Sequence, residues 1–221
     1  MNKKLLVLVS VGKLTDIVKD IKRRGFEAVF LIQNDPKELK EVVNNNMKDI
    51  PEECEVYHEQ ETYEETLELC KRINPLHILY ISERSVELAS RLTTDLKLLG
   101  NNYSYVSNFL EKSSMHEALK QFGIRYIKGE IAYNTKEAKE IFEKFGKKAV
   151  VLKPSRGAAS SDLMFCQNEK QLTEHAENYF GSYNFLTNSK NTELLIQECI
   201  TGEEYAINTI TIKGKTKIVG I

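Results

Sequence analysis

The sequence predicts an α/β chain whose first part is a parallel, doubly wound sheet and whose second part is an α+β unit. Three observations carry that expectation. Leu5–Val9, Ala28–Ile32 and Ile78–Ser82 are continuous apolar runs, the pattern of strands buried on both faces. Between them lie segments whose apolar residues recur at helical spacing, and strand–helix alternation with short connections implies parallel strands joined by right-handed crossovers. From residue 126 onward the order changes to strand, helix, two strands, helix and three further strands, which no longer alternates.

The first strand, Leu5–Val9, follows Met1-Asn2-Lys3-Lys4 and so mimics the start of a signal peptide. Its apolar run is too short for one, and Lys13 and Asp16 follow at once. Leu14, Ile17, Val18 and Ile21 then mark a helix that Gly25 stops. Ala28–Ile32 is the second strand, Pro36 opens a helix running to Asn45, and Glu55–His58 is a weak third strand. A helix over Tyr63–Ile73 carries Leu67, Leu69 and Cys70; the strand Ile78–Ser82 and a helix over Val86–Leu99, ended by Gly100, complete this part. The Ser82-Glu83-Arg84-Ser85 turn stands where open α/β sheets commonly bind ligands. An ordinary helix N-cap at Ser82 or Ser85 accounts for the same residues. Only Ser10-Val11-Gly12 follows the first strand, so the glycine fingerprint of a dinucleotide site is missing and an NAD enzyme ranks low.

The polar break Asn101-Asn102-Tyr103-Ser104 places a domain boundary near residue 105. A helix over Ser113–Gln121 ends at Gly123, with Lys112 at its start, where a cation is unfavourable unless an anion compensates it. Strand Tyr126–Ile131, helix Lys136–Phe145, strands Ala149–Lys153 and Leu163–Cys166, and helix Glu169–Tyr179 follow. Gly181–Asn191 is polar and reads as a flexible surface loop. Glu193–Glu198, Tyr205–Ile212 and Lys215–Ile221 read as three strands, with Gly214 marking the last hairpin.

With 221 residues, 41% hydrophobic and 29% charged, the chain has an ordinary globular composition. Its net charge of -1 offers no nucleic-acid footprint and no polybasic membrane patch. No stretch approaches the roughly 18 apolar residues of a membrane span, so a cytoplasmic location is expected. Cys54, Cys70, Cys166 and Cys199 form no Cys-x-x-Cys pair and read as buried free thiols in a reducing compartment. His58, His77, His116 and His175 are scattered without zinc-site spacing.

The chemistry concentrates in Ala149–Ser161 and Leu194–Tyr205. The first apolar run delivers Lys153, and Pro154 cannot continue a central ladder. Beyond it come Ser155, Gly157, Ala158, Ala159, Ser160 and Ser161. Small side chains let backbone N–H groups approach an anion, and hydroxyls add donors, so lysine and loop together make a phosphate clamp. The second run ends in Gln197-Glu198 and continues through Gly202-Glu203-Glu204-Tyr205, whose carboxylates can accept from an amine or vicinal hydroxyls. Taken singly, these are an ordinary turn and a solvated acidic turn. The pair in this order, with a helix between, argues for a site.

Lys153-Pro154-Ser155-Arg156-Gly157-Ala158-Ala159-Ser160 resembles the Lys-Pro-x-x-Gly-x-x-Ser loop of ATP-grasp ligases. Leu195-Ile196-Gln197-Glu198-Cys199-Ile200, with Gly202, Glu204 and Tyr205, resembles their adenine-hinge and ribose segment. Glu111-Lys112-x-x-Met115 followed by Gly123-Ile124 is similar to the entry to the same domain, and the nearest branch is the carboxylate–amine ligases related to the carbamoyl-phosphate synthase large chain. The resemblance implies a Rossmann-like pre-ATP-grasp domain over residues 1–105, an ATP-grasp lid subdomain over 106–192, and the start of a second, incomplete subdomain over 193–221. It implies ATP as cofactor. Lys112 and Lys153 would contact the α- and β-phosphates, and Ser155, Gly157, Ser160 and Ser161 would fold over them. Glu198 would accept from the adenine amine, Cys199 and Ile200 would offer hinge backbone groups, and Glu204 would accept from the ribose hydroxyls. The implied substrates are a small-molecule carboxylate, activated as an acyl phosphate, and an amine.

Two departures stand against full family behaviour: Glu111 replaces the usual Asp, and Asp162 lies where a phosphate would repel it. The residues that hold magnesium in complete family enzymes belong to a later portion that this sequence does not carry. Magnesium ligands are therefore expected to be absent here. The alternative reading is a truncated or split, catalytically inactive nucleotide- or partner-binding module. The expected macromolecular partner is a second copy of the chain, as a homodimer, or a separate chain supplying the missing C-terminal half.

Overall fold

The computed structural model describes residues 3–157, 163–184 and 189–221, apart from the side chain of Thr15. Strand β1 (Lys4–Val9) is paired in parallel with β2 (Glu27–Ile32) on one side and β4 (His77–Leu79) on the other, and β2 carries β3 (Glu55–His58), giving the order β3-β2-β1-β4. The continuous apolar runs arise because both faces of this sheet are covered. Leu6, Leu8, Val29 and Leu31 pack on helices α3 (Tyr63–Ile73) and α4 (Val86–Asp95) through Leu69, Cys70, Ile73, Ala89 and Leu92. The alternate residues Val7, Val9, Phe30 and Ile32 pack on α1 (Thr15–Arg23) and α2 (Lys40–Met47) through Val18, Ile21 and Val43. Each fully buried aliphatic side chain of this kind contributes about 1.5–3 kcal/mol.

Three expectations for this part need correction. Helix α4 ends at Asp95, not Leu99: Lys97 adopts φ 55°, and Leu98 N–H donates to Thr93 O at 2.8 Å, which closes the helix by a Schellman-type turn. Gly100 stands beyond that stop and is required by proximity, since a Cβ there would lie 2.8 Å from Thr93 Cβ. Strand β4 is three residues long because its pairing with β1 ends at Val7↔Leu79. The helix after Pro36 begins as a 3-10 turn over Lys37–Leu39 and becomes α-helical only at Lys40.

The second sheet is antiparallel, in the order β5-β10-β6-β7, from β5 (Gly129–Ala132), β6 (Val150–Pro154), β7 (Met164–Cys166) and β10 (Leu194–Glu198). Helices α7 (Thr135–Lys144) and α8 (Glu169–Tyr179) cover it with Ile141, Phe142, Leu172 and Ala176 against Leu152, Leu194 and Ile196. Asn134 and Asn168 cap these helices, their side chains accepting from Glu137 N–H and Gln171 N–H. Pro154 is included in β6, opposite Leu194. Among the described residues the β6–β7 pairing runs only to Leu152↔Met164, so Pro154 stands beyond the last described pair on that side.

Short α5 (Ser107–Leu110) leads into α6 (Lys112–Gln121). Where a surface loop was expected, the described residues pair: β8 (Tyr183–Asn184) runs antiparallel to β9 (Ser189–Lys190), and buried Asn184 donates to Asn191 Oδ1 at 3.2 Å. The chain finishes with the hairpin β11 (Asn208–Ile212) and β12 (Lys215–Gly220), turned by Lys213 and Gly214, both at positive φ. Residues 205–207, expected within β11, lie outside it. The strand expected over Tyr126–Ile131 likewise begins only at Gly129.

Candidate functional site

Lys112, Met115, His116 and Leu119 follow the spacing i, i+3, i+4, i+7 and therefore share one face of α6. That face, with Lys153 at the end of β6 and Leu195 and Gln197 of β10, lines a cavity of about 500 Å³. Arg125, Tyr126 and Ile127 form one rim, and Glu198 and Ile200 the other. Met115, Leu119, Ile127 and Leu195 make the wall largely apolar, while the two lysines, Gln197 and Glu198 supply the polar groups. An apolar slot with a few convergent polar groups is the usual form of a small-molecule site.

The positions of these groups are fixed by local hydrogen bonds. His116 Nε2 is 2.6 Å from the Ile127 carbonyl oxygen, and its ring meets Tyr126 edge-on with centroids 4.7 Å apart, so the rim is tied to α6. Lys128 N–H donates to Glu198 Oε1 at 3.0 Å, and Glu198 N–H donates to the Lys128 carbonyl at 2.9 Å, which closes the opposite rim. Gly129 permits this close approach: a Cβ there would stand 2.8 Å from Gln197 Cγ and 2.9 Å from the Ile196 carbonyl oxygen.

The root of the loop after β6 is pinned to the start of α6. Lys112 N–H donates to the Ser155 carbonyl at 2.8 Å, Lys112 Nζ donates to the Gly157 carbonyl at 2.8 Å, and the hydroxyls of Ser113 and Ser155 are 2.6 Å apart. Burial pushes the Lys112 ammonium below the ordinary lysine pKa; the Glu83 carboxylate opposes that shift and neighbouring Lys153 adds to it. Two cations near one another, one half-desolvated, make a cleft suited to an anion. Glu83, from the Ser82–Ser85 turn, acts on Lys112 through its charge alone, and Ser82 is the cap, its Oγ accepting from Arg84 N–H at 3.3 Å.

Of the residues singled out in the sequence, Lys112, Lys153, Glu198 and Ile200 meet around this cavity. Ser155 is buried at the loop root and lines a separate polar cavity of about 320 Å³. Gly157 takes part through its carbonyl. Cys199 is half-buried, Glu204 is exposed, and neither lines the cavity. Ser160 and Ser161 lie outside the described residues, as do Ala158, Ala159 and Asp162. His116, Leu119, Arg125, Tyr126, Ile127, Leu195 and Gln197 also line the cavity without having been singled out as ligand contacts. The helical spacing from Lys112 points to His116 and Leu119, but the rim residues carry no motif of their own.

Among the described residues, no group of three or more His, Cys, Asp and Glu is placed to hold a metal ion, and no helix is long and apolar enough to cross a membrane. The cysteines are free; Cys70 and Cys166 are buried, whereas Cys54 and Cys199 are only half so.

Residues 110–219 match the family described as phosphoribosylglycinamide synthetase, ATP-grasp (A) domain. Residues 110–219 belong to the ATP-grasp superfamily. The match begins at the residue before Glu111 and ends within the last hairpin, so it embraces both lysines, the β6–β7 loop and the β10 rim. The curated relative dapdiamide A synthase of Enterobacter agglomerans is 30% identical over 139 residues, which are 62% of this chain and 32% of that protein. The L-amino acid ligase of Bacillus licheniformis superposes with a TM-score of 0.73 at 16% identity, over 99% of this chain and 49% of that one. The biotin carboxylase domain of Hydrogenobacter thermophilus 2-oxoglutarate carboxylase, solved with MgADP and bicarbonate, superposes with a TM-score of 0.64 at 21% identity, over 90% and 45%. The chain thus spans about a third of the curated relative and about half of the solved ones.

Proposed function

We propose that this chain is the ATP-binding portion of a ligase that activates a carboxylate as an acyl phosphate for attack by an amine. The observation that carries the proposal is the convergence of Lys112 and Lys153 with the Gln197–Glu198 rim around one largely apolar cavity. In this reading the adenine occupies the slot between Met115, Leu119 and Leu195, with its exocyclic amine toward the β10 rim. The triphosphate extends to Lys153 and Lys112, and the loop after Pro154 closes on it through Gly157 and residues 160 and 161. Cys199 and Ile200 offer backbone groups at the hinge, and Glu204 serves the ribose after movement of its exposed segment. Residues 1–105 act as a separate domain before the grasp.

In the reaction, a carboxylate oxygen attacks the γ-phosphorus, an O–P bond forms, and the bond to the β-phosphate oxygen breaks with ADP leaving. The amine nitrogen then attacks the acyl carbon, phosphate departs and the nitrogen loses a proton. Magnesium, when bound with ATP, neutralises charge between the phosphates. Lys112 and Lys153 contribute in the same sense by fixing the α- and β-oxygens. The names of the similar proteins support this class: one is a dapdiamide A synthase, one an L-amino acid ligase, and the carboxylase domain was solved with MgADP.

Thermal unfolding with and without ATP and magnesium tests the reading. At about a hundred times its dissociation constant, bound nucleotide adds roughly 2.7 kcal/mol, a rise of several degrees for a chain of this size. An unchanged midpoint in a cooperatively folded protein refutes it.

A further inference from the structure

We infer that Arg156 is a positioning residue that sets the root of the phosphate loop by bridging two carboxylates from different parts of the fold. Its Nε donates to Glu111 Oε1 at 3.0 Å, and its Nη2 lies 3.6 Å from Glu87 Oε2. Glu111 precedes α6, and Glu87 stands in the first turn of α4, against the parallel sheet. One guanidinium therefore links the loop, the lysine-bearing helix and the N-terminal sheet layer. The backbone is held as well: the Arg156 carbonyl accepts from buried Asn184 Nδ2 at 3.4 Å, and Asn184 is itself bonded to Asn191.

Electrostatics gives this bridge its consequence. Glu111 adjoins Lys112 in sequence, and an unpaired carboxylate there would repel an incoming triphosphate. Arg156 pairs its Oε1 while Ser114 Oγ donates to its Oε2 at 2.7 Å, so the carboxylate is turned to the loop root. Arg156 lines the smaller, polar cavity with Glu111 and Ser155, not the cavity with Lys112 and Lys153. Its effect on nucleotide thus passes through Glu111 and the start of α6. The planar fork of arginine reaches two carboxylates at once, which the single ammonium of lysine does not reproduce.

The inference rests on the nucleotide reading above, and calorimetric titration of the chain with ATP and magnesium separates the two. Arg156→Gln is expected to weaken binding about tenfold, the scale of losing one charge-assisted contact. Glu87→Gln, an exposed change that spares the fold, is expected to weaken it a fewfold, and Arg156→Lys to fall between wild type and Arg156→Gln. The double variant Arg156→Gln/Glu111→Gln is expected to bind no more weakly than Arg156→Gln alone, because coupled residues are non-additive. Losses that multiply in the double variant overturn the inference in favour of a direct phosphate contact, and Arg156→Lys equal to wild type overturns the bridge. Wild-type binding with an unaffected Arg156→Gln overturns the inference alone. A wild-type chain that does not bind ATP overturns the nucleotide reading and the inference with it.

Discussion

Lys112 and Gly157 are joined by a 2.8 Å hydrogen bond from the lysine ammonium to the glycine carbonyl, across 45 residues of sequence. With Lys112 N–H on the Ser155 carbonyl, one residue thus holds the loop root at two points. An ammonium has three donors, so the bond to Gly157 leaves capacity for a phosphate oxygen. Lys112→Ala is expected to lose both the phosphate contact and the side-chain tether. ATP affinity should fall more than tenfold by calorimetry, the scale of a charge-assisted hydrogen bond of about 1.5–3 kcal/mol.

The environment of Lys112 also predicts a pH dependence. Burial lowers its pKa below the ordinary lysine value, and Glu83 only partly opposes this. Phosphate binding requires the protonated form, so ATP affinity should decline with rising pH before a solvated lysine would titrate. Stability of the nucleotide-free chain should move the other way. The unfolded chain holds this proton to higher pH, so the Lys112 contribution rises as pH passes through the lowered pKa. Lys112→Arg should flatten both profiles, read by calorimetry and by denaturant unfolding between neutral and alkaline pH.

Thiol reactivity should sort the four cysteines by burial. Burial pushes the Cys70 thiol up to about 11, and Cys166 is raised by the same cause. Both are expected to resist a thiol reagent at mildly alkaline pH until the chain unfolds, because the thiolate is the reactive form. Half-buried Cys54 and Cys199 should label first, as followed by mass spectrometry of timed digests.

Gly129→Ala should connect stability to the site. The added methyl meets Gln197 Cγ at 2.8 Å and the Ile196 carbonyl at 2.9 Å, and the carbonyl belongs to the paired backbone of β10. Overpacking of this kind costs about 1–3 kcal/mol. Because Gln197 lines the cavity, nucleotide affinity should fall alongside the unfolding midpoint, whereas Gly181→Ala, strained by its φ of 81° but open at its Cβ position, should lower the midpoint and leave affinity unchanged.

Much of this architecture was legible in the sequence, and the reasons are local. Leu5–Val9 and Ala28–Ile32 are apolar at every position because helices cover both faces, so their reading as buried parallel strands needed no tertiary information. Helix α8 was bounded correctly at Glu169 and Tyr179 by its spacing. Lys153 and Glu198 stand at strand ends, which is why the sequence draws attention to them, and both line the cavity. What escaped depends on distant contacts. The Lys97 turn that ends α4 has no glycine to announce it, and the β8–β9 pairing is sealed by two buried asparagines in a polar stretch. Arg125, Tyr126 and Ile127 reach the cavity through the fold of their segment over α6, held by the His116–Ile127 contact, which no spacing rule encodes.

Photolabelling with 8-azido-ATP, followed by peptide mapping, tests most directly whether nucleotide lies between α6 and β10. The account predicts label within residues 112–127 or 195–200, competed by ATP and sharply reduced in Lys153→Ala. Competed label confined to the parallel sheet, or label that persists undiminished in Lys153→Ala, would contradict it.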